Sequence, residues 1–305
     1  MELWVMYSPS NLGGHQLVGQ LSSAFMEREE IDNVLSIPDN TLHEHREWET
    51  LPDMLLLVDA IESYMSWRFA VPGRPWICAA SFSYADLYTL YRGGVRLNET
   101  GINYVLTNCA SYVERSTATM PAKLCYRPMT EKGGRHAGLP TVGAVLPNVK
   151  DRDFSLLLWV REKLIQRGMQ SRFKVFLHAD AEGRLPGKLQ FETYTDERRP
   201  YGDIDVYVPV PRITDYRSGV IPAEFIQAWH AGCRPLAVFH PNLEPLGIPL
   251  YGSLLEIEQD LDKLAEGEDL TPYGPPSEEF CPSMETFVTE VMQGRERWER
   301  DRVAH

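Results

Sequence analysis

The sequence predicts an α/β protein made of two doubly wound halves, and three observations carry that prediction. Short apolar runs of strand length alternate with amphipathic helical stretches through both halves of the 305-residue chain. Segment 128–140, PMTEKGGRHAGLP, is rich in Gly, Pro and charge, has no apolar period, and separates the two series. Residues 205–238 then spell out one complete step: an apolar strand, a polar loop, a helix opening after Pro222, a stop at Gly232, and a second apolar strand.

In the first half, ELWVMYSP reads as a strand that runs through SNLGGHQ into a helix, where Leu17, Leu21, Ala24 and Phe25 form an apolar stripe. Gly13 and Gly14 therefore stand between a strand and a helix N-terminus, where a missing side chain lets a ligand approach the backbone; a simple tight turn calls for the same residues. Segment 38–50 is polar, a loop or surface helix, and the His43–Glu44–His45 triplet lacks a third ligand at metal-binding spacing. DMLLLVDA is a buried strand ending on Asp59. Carboxylates at strand ends line the crevice of parallel sheets, which makes Asp59 and Glu62 candidates, with helix capping the alternative for Asp59. PWICAASF is a further strand, SYADLYTLYRGG a helix stopping at Gly93–Gly94, and NYVLTNC another strand.

The second half repeats the grammar. TVGAVLPNV is a strand and turn, KDRDFSLLLWVREKLIQRG leads into an amphipathic helix ended by Gly168, RFKVFLHAD is a strand, and KLQFETYT a short one. After 205–238 come an amphipathic helix at 253–265, a Pro/Gly/acidic loop at 267–282, and a terminal helix at 283–302. Glu224 and Gln227 fall three residues apart in the first turn after Pro222, where unpaired N–H groups and the positive dipole end suit hydroxyls and phosphates.

Composition excludes several classes. Net charge is −13, which opposes average binding to nucleic acid or anionic membrane. The charge is uneven: residues 1–65 carry 2 Lys/Arg against 12 Asp/Glu, residues 251–305 carry 5 against 14, and residues 66–136 reverse the balance with 9 against 4. No apolar run approaches bilayer-spanning length and MELWVMYSP lacks the features of a signal peptide, so a cytoplasmic protein is expected. The five cysteines are scattered with no CxxC pair, which reads as reduced, buried thiols with neither a disulfide framework nor a zinc site.

Taken together, the glycine loop after the first strand and the 205–238 segment resemble the GT-B glycosyltransferases, most closely their retaining, family-4-like branch. The resemblance covers most of the chain. Gly13–Gly14 match the glycine loop, Thr141–Val142–Gly143 followed by Lys150 resemble the opening of the second domain, and Asp205 to Pro209 with Gln227 through Pro235 match the donor-site helix and its flanking strands. The chain departs from that pattern where the family has two glutamates with seven residues between them: Gly219 and Gln227 stand there, while Glu224 lies one turn upstream of Gln227 and Asp215 in the preceding loop. Ala144 replaces the usual arginine. Pro222 as first helical residue would bring Glu224 into the role.

The resemblance implies two Rossmann-like domains facing across a cleft, with the C-terminal helix crossing back to the first domain. The expected division is an acceptor domain at 1–135, a nucleotide-sugar donor domain at 136–282 and the returning helix at 283–305. It implies sugar transfer from a nucleotide-diphosphate sugar, with a UDP-sugar the expected donor, to a hydroxyl acceptor, with no cofactor. Phosphate charge builds as the glycosidic bond breaks, so cations and a helix N-terminus stabilise the transition state more than the ground state. Asp59, Lys150 and Glu224 are the candidate catalytic residues. The donor would be held by Gly13, Gly14, Lys150, Arg152, Arg217, Ser218, Gly219, Glu224 and Gln227. Glu62, Arg92 and Arg96 would meet the acceptor. DRD at 151–153 and the DAD-like HADAE at 178–182 are weak matches to a metal-binding DxD motif, so a metal-independent reaction is expected. The basic 66–136 segment and the compact chain resemble the small bacteriophage DNA glycosyltransferases in economy, which admits duplex DNA with hydroxymethylated bases as acceptor beside a small molecule or glycan. A nucleotide-sugar epimerase of the same fold, or a non-catalytic binding protein, are the alternatives.

Overall fold

The computed structural model describes residues 1–8, 14–41, 51–67, 75–82, 101–114, 116, 121–126, 128, 140–181, 183–187, 189–195, 200–214, 220–238, 243–268, 270 and 273–303. The chain divides into two compact units, Met1–Met129 with Ser277–His305, and Thr130–Pro276.

In the first unit, strand β1 (Glu2–Tyr7) leads to helix α1 (Gly14–Met26), then β2 (Asn33–Pro38), β3 (Met54–Val58), α2 (Ile61–Trp67), β4 (Trp76–Ser81), β5 (Tyr104–Thr107), α3 (Ala110–Glu114) and β6 (Ala122–Leu124). The strands pair in the order β2-β1-β3-β4-β5-β6, and every pairing is parallel. The unbroken apolar runs predict this, because strands of a parallel sheet are covered on both faces. In β3 all five residues are buried, and in β4 all six. The edge strand β2 has only Ile37 buried, and its Pro38 needs no partner for an absent N–H, as suits an edge position.

The second unit contains β7 (Val142–Leu146), α4 (Ser155–Gln166), β8 (Phe173–His178), β9 (Glu192–Tyr194), β10 (Val206–Tyr207), α5 (Ala223–His230), β11 (Arg234–Pro235) and α6 (Leu254–Ala265). Its sheet runs β11-β10-β7-β8-β9, again all parallel. Val142, Ala144, Leu146, Val206, Val208 and Leu236 from the sheet pack with Leu157, Val160 and Leu164 of α4 and Ile257, Leu261 and Leu264 of α6. Burying each such side chain is worth about 1.5–3 kcal/mol, which fixes both helices on the sheet. At the strand starts, the Asp205 carboxylate accepts from the Thr141 N–H at 2.7 Å and ties β10 to β7, a structural role for the aspartate that heads this strand.

Helix α5 ends on a glycine with a positive φ. Gly232 sits at φ 88°, Cys233 N–H donates to the Ala228 carbonyl at 3.0 Å and Gly232 N–H to the Trp229 carbonyl at 3.0 Å, so the last carbonyls are satisfied by a left-handed cap. The start differs in one detail from expectation. Pro222 is the N-cap, extended at φ −57° and ψ 134°, and Ala223 is the first helical residue. Glu224 still lies in the first turn.

The terminal helix α7 (Met284–Val303) returns to the first unit, as the GT-B resemblance implies. Glu290 anchors it: its carboxylate accepts from Tyr104 Oη of β5 at 2.6 Å, from Lys123 Nζ of β6 at 2.6 Å and from Arg297 at 2.9 Å. Three donors outweigh partial burial and hold the Glu290 carboxyl down at about 2. No helix among the described residues is long and apolar enough to cross a membrane.

Candidate functional site

Each sheet has one place where the chain changes winding direction, and a parallel sheet binds ligands outside the carboxyl ends of its strands at that place. In the second unit it lies between β7, which continues through α4 to β8, and β10, which continues through α5 to β11 on the other side. The two loops that leave these strands meet. Asp153 N–H donates to the Pro211 carbonyl and Ile213 N–H to the Asp151 carbonyl, both at 3.0 Å, which makes Arg152 and Arg212 an antiparallel bridge pair. Asp151 takes φ 58°, a left-handed turn that an aspartate tolerates better than most residues.

Arg152 is the centre of this mouth. Its side chain is 2% exposed, its Nε donates to Asn148 Oδ1 at 2.9 Å, its Nη1 to the Val210 carbonyl at 2.7 Å, and its Nη2 to the Glu224 carboxylate. The guanidinium thus joins the β7 loop, the end of β10 and the first turn of α5. Burial raises the Glu224 carboxyl, but Arg152, the backbone N–H at the helix start and Arg212 outweigh it and leave it below the usual carboxylate range. Tyr207 of β10 lies beneath: burial, reinforced by the Glu224 charge, pushes its hydroxyl well up and keeps it neutral.

The other expected donor residues are distributed as follows. Lys150 is exposed, two positions before Arg152. Gln227, one turn on from Glu224, accepts through its side-chain oxygen from Tyr201 Oη at 3.0 Å, so the two polar side chains of this helix serve different partners. Asp153 of the DRD sequence accepts from the Ser155 N–H at 2.9 Å and braces the start of α4. Arg217, Ser218 and Gly219, together with Asp215, lie outside the described residues. Arg212 is the residue missed by sequence reading. Its signal was the basic residue closing the VPVP run that follows β10, in a position that becomes meaningful only once that loop pairs with KDRD.

The first unit has a corresponding mouth between β1 and β3. Asp59 stands at the end of β3 with φ 49°; its N–H donates to the Ala80 carbonyl at 3.0 Å and its Oδ1 accepts from the Phe82 N–H at 2.6 Å. This carboxylate therefore fastens the end of β3 to the end of β4. Glu62 is exposed in the first turn of α2. Gly14 opens α1. Gly13, Arg92 and Arg96, the helix expected over 83–94 and the His43–Glu44–His45 triplet lie outside the described residues. Among the described residues, no three His, Cys, Asp or Glu side chains gather as metal ligands.

No protein-family profile matches the chain, and no curated relative matches it by sequence. Solved structures do. The lipopolysaccharide outer core galactosyltransferase WaaB, in its apo form, is similar with TM-score 0.54 at 11% identity, over 88% of this chain and 91% of that one. An O-GlcNAc transferase variant from Thermobaculum terrenum is similar with TM-score 0.54 at 13% identity, over 100% of this chain and 69% of that one. TarM from S. aureus, solved with Fondaparinux, alpha-GlcNAc-glycerol and UDP, gives TM-score 0.50 at 9% identity, over 85% of this chain and 57% of that one. Two parallel, doubly wound α/β sheets, with the terminal helix returned to the first, are the fold of the GT-B glycosyltransferases.

Proposed function

We propose that the protein transfers a sugar from a nucleotide-diphosphate sugar to a hydroxyl acceptor, with the donor held at the β7/β10 mouth of the second unit. The observation that carries this reading is the Arg152–Glu224 pair at the switch point of that sheet. The pair keeps a carboxylate ionised in the first turn of a helix whose N-terminus favours anions. Glu224 would hold sugar hydroxyls, Lys150 would balance charge developing on the leaving diphosphate, and Gln227 would contact the nucleotide. Arg217, Ser218 and Gly219 would line the loop ahead of α5. Asp59 and Glu62 would stand on the acceptor side.

Three finer points belong to the same proposal. The reaction is retaining, as in the branch that the 205–238 segment resembles. It proceeds without a metal, because lysine, arginine and helix N–H groups carry the phosphate charge, while Asp153 of the DRD triplet is turned to the Ser155 N–H. The donor nucleotide is UDP, the nucleotide named in the TarM complex. Duplex DNA with hydroxymethylated bases, for which the positive balance of 66–136 speaks and Arg92 and Arg96 would be the contacts, stands as acceptor beside a small molecule or glycan.

Isothermal titration with UDP-, GDP- and ADP-sugars tests the donor reading. Binding of one of them, abolished in Glu224→Ala, supports it; a chain that binds none is not a nucleotide-sugar enzyme. A gel shift on hydroxymethylated duplex tests the acceptor. Affinity should fall steeply with salt and with charge reversal at Arg92 and Arg96, and an unmoved band removes DNA from the account.

A further inference from the structure

Arg152 and Arg212 oppose each other directly across the short ladder formed by the loops leaving β7 and β10. The two backbone bonds, Asp153 to Pro211 and Ile213 to Asp151, flank the pair. That makes 152/212 a non-hydrogen-bonded position, in which opposed Cα atoms lie about 4.5 Å apart and both side chains project from the same face. Like charges placed this way repel. One carboxylate answers both: Glu224 bonds Arg152, and it feels Arg212 electrostatically without forming an ion pair with it. Among the described residues no carboxylate lies within ion-pair distance of Arg212. The trio by itself carries a net positive charge, while in the flanking loop Lys150 and Asp151 offset each other and Asp153 is turned to the Ser155 N–H.

We propose that the two arginines divide the work. Arg152 is a positioning residue, whose buried guanidinium holds Asn148, the Val210 carbonyl and Glu224 in one arrangement and is spent in doing so. Arg212, half buried on the same face, supplies the cation that meets a diphosphate. A doubly charged anion seated there relieves the arginine–arginine repulsion, and the guanidinium fork suits two phosphate oxygens. Removing the first residue disturbs the architecture of the mouth; removing the second takes away a ligand and a lesser support of the Glu224 charge, and leaves the Arg152 hydrogen bonds in place. This assignment rests on the nucleotide-sugar reading for the identity of the ligand, while the anion site itself stands on the charge geometry.

The test titrates the intact chain, and its Arg212→Ala, Arg212→Lys and Arg152→Lys variants, with UDP and separately with inorganic pyrophosphate, alongside thermal melts. Arg212→Ala should weaken both ligands at least tenfold, the loss of about one charge-assisted contact, with the melting temperature unchanged. Arg212→Lys should recover part of the affinity. Arg152→Lys should lower the melting temperature and kcat together. Arg212→Ala that titrates like the unaltered chain, or that melts as early as the Arg152 variant, overturns the division. If pyrophosphate binds through Arg212 and no nucleotide binds, the anion site stands and the nucleotide-sugar reading falls. If UDP binds equally well without Arg212, the reading stands and this assignment falls.

Discussion

The Arg152 guanidinium donates to the Glu224 carboxylate across 72 positions of sequence, and that bond joins the loop after β7 to the first turn of α5. Both partners are largely shielded, with side chains 2% and 13% exposed. A pair in that setting is weak evidence for stability as a whole, yet breaking it by deleting one partner leaves a buried charge uncompensated.

Glu224→Gln should therefore destabilise the second unit by about 3–5 kcal/mol, more than its single lost bond suggests. Urea unfolding at neutral pH reads this directly. Because the folded carboxyl lies below its unfolded value of about 4.3, its contribution is complete above that pH and drains away as pH falls through the depressed folded value. The unaltered chain should thus lose its advantage over the variant in acid. A variant as stable as the parent at neutral pH would mean that the pair contributes nothing.

Glu290 offers a second pH-dependent contact, this time in the first unit. Its carboxyl is held at about 2 by Lys123, Tyr104 and Arg297. The contribution is fully present above about pH 4.3 and is lost as pH falls toward 2, and after allowance for solvent it amounts to about 2 kcal/mol. Glu290→Gln should show a flatter stability curve between pH 5 and pH 3, in the range of about one carboxylate's titration. Limited proteolysis of α7, faster in the variant at pH 7, would locate the loss; equal cleavage rates would argue that other contacts hold the helix.

Two glycines give opposite expectations for one substitution. A Cβ on Gly294 of α7 would stand 2.8 Å from Tyr104 Cδ1 and 3.3 Å from Trp76 Cζ2, so Gly294→Ala overpacks the helix against the sheet and should cost about 1–3 kcal/mol. A Cβ on Gly19 of α1 meets nothing within 4 Å, and Gly19→Ala should stabilise the helix by about 0.5–1 kcal/mol. Melting both variants side by side checks the packing of α7, and a stabilising Gly294→Ala would contradict it.

At the start of α6, Ser253 Oγ accepts from the Glu256 N–H at 3.4 Å and the Glu256 carboxylate accepts from the Gly252 N–H at 3.0 Å, a reciprocal cap. Ser253→Ala should cost about 0.5–2 kcal/mol in chemical denaturation without changing ligand affinity. An affinity change would tie this cap to the mouth instead.

Central strands were legible in the sequence because burial on both faces writes a continuous apolar run, as in MLLLV of β3 and VGAVL of β7. Strand β2 was not: NVLSIP is an edge strand with half of its residues exposed and only Ile37 buried, so its pattern resembles a loop. Strand β6 has three half-buried residues, too few for any period. Helix α5 was placed to within one residue by Pro222 and Gly232, which act locally through their own backbone angles. The site was legible only as residue types. Glu224 and Arg152 stood out singly, but their pairing and the opposition of Arg152 to Arg212 depend on which strands are neighbours, and 3-2-1-4-5 winding brings together segments that share no local pattern.

The most direct test of the account is a mass spectrum of acceptors after incubation of the purified chain with mixed nucleotide sugars and a cell extract. One nucleotide sugar should be consumed, an acceptor should gain one sugar's mass, and both changes should disappear in Glu224→Ala. A donor left intact, or converted to its epimer with no acceptor present, would contradict sugar transfer.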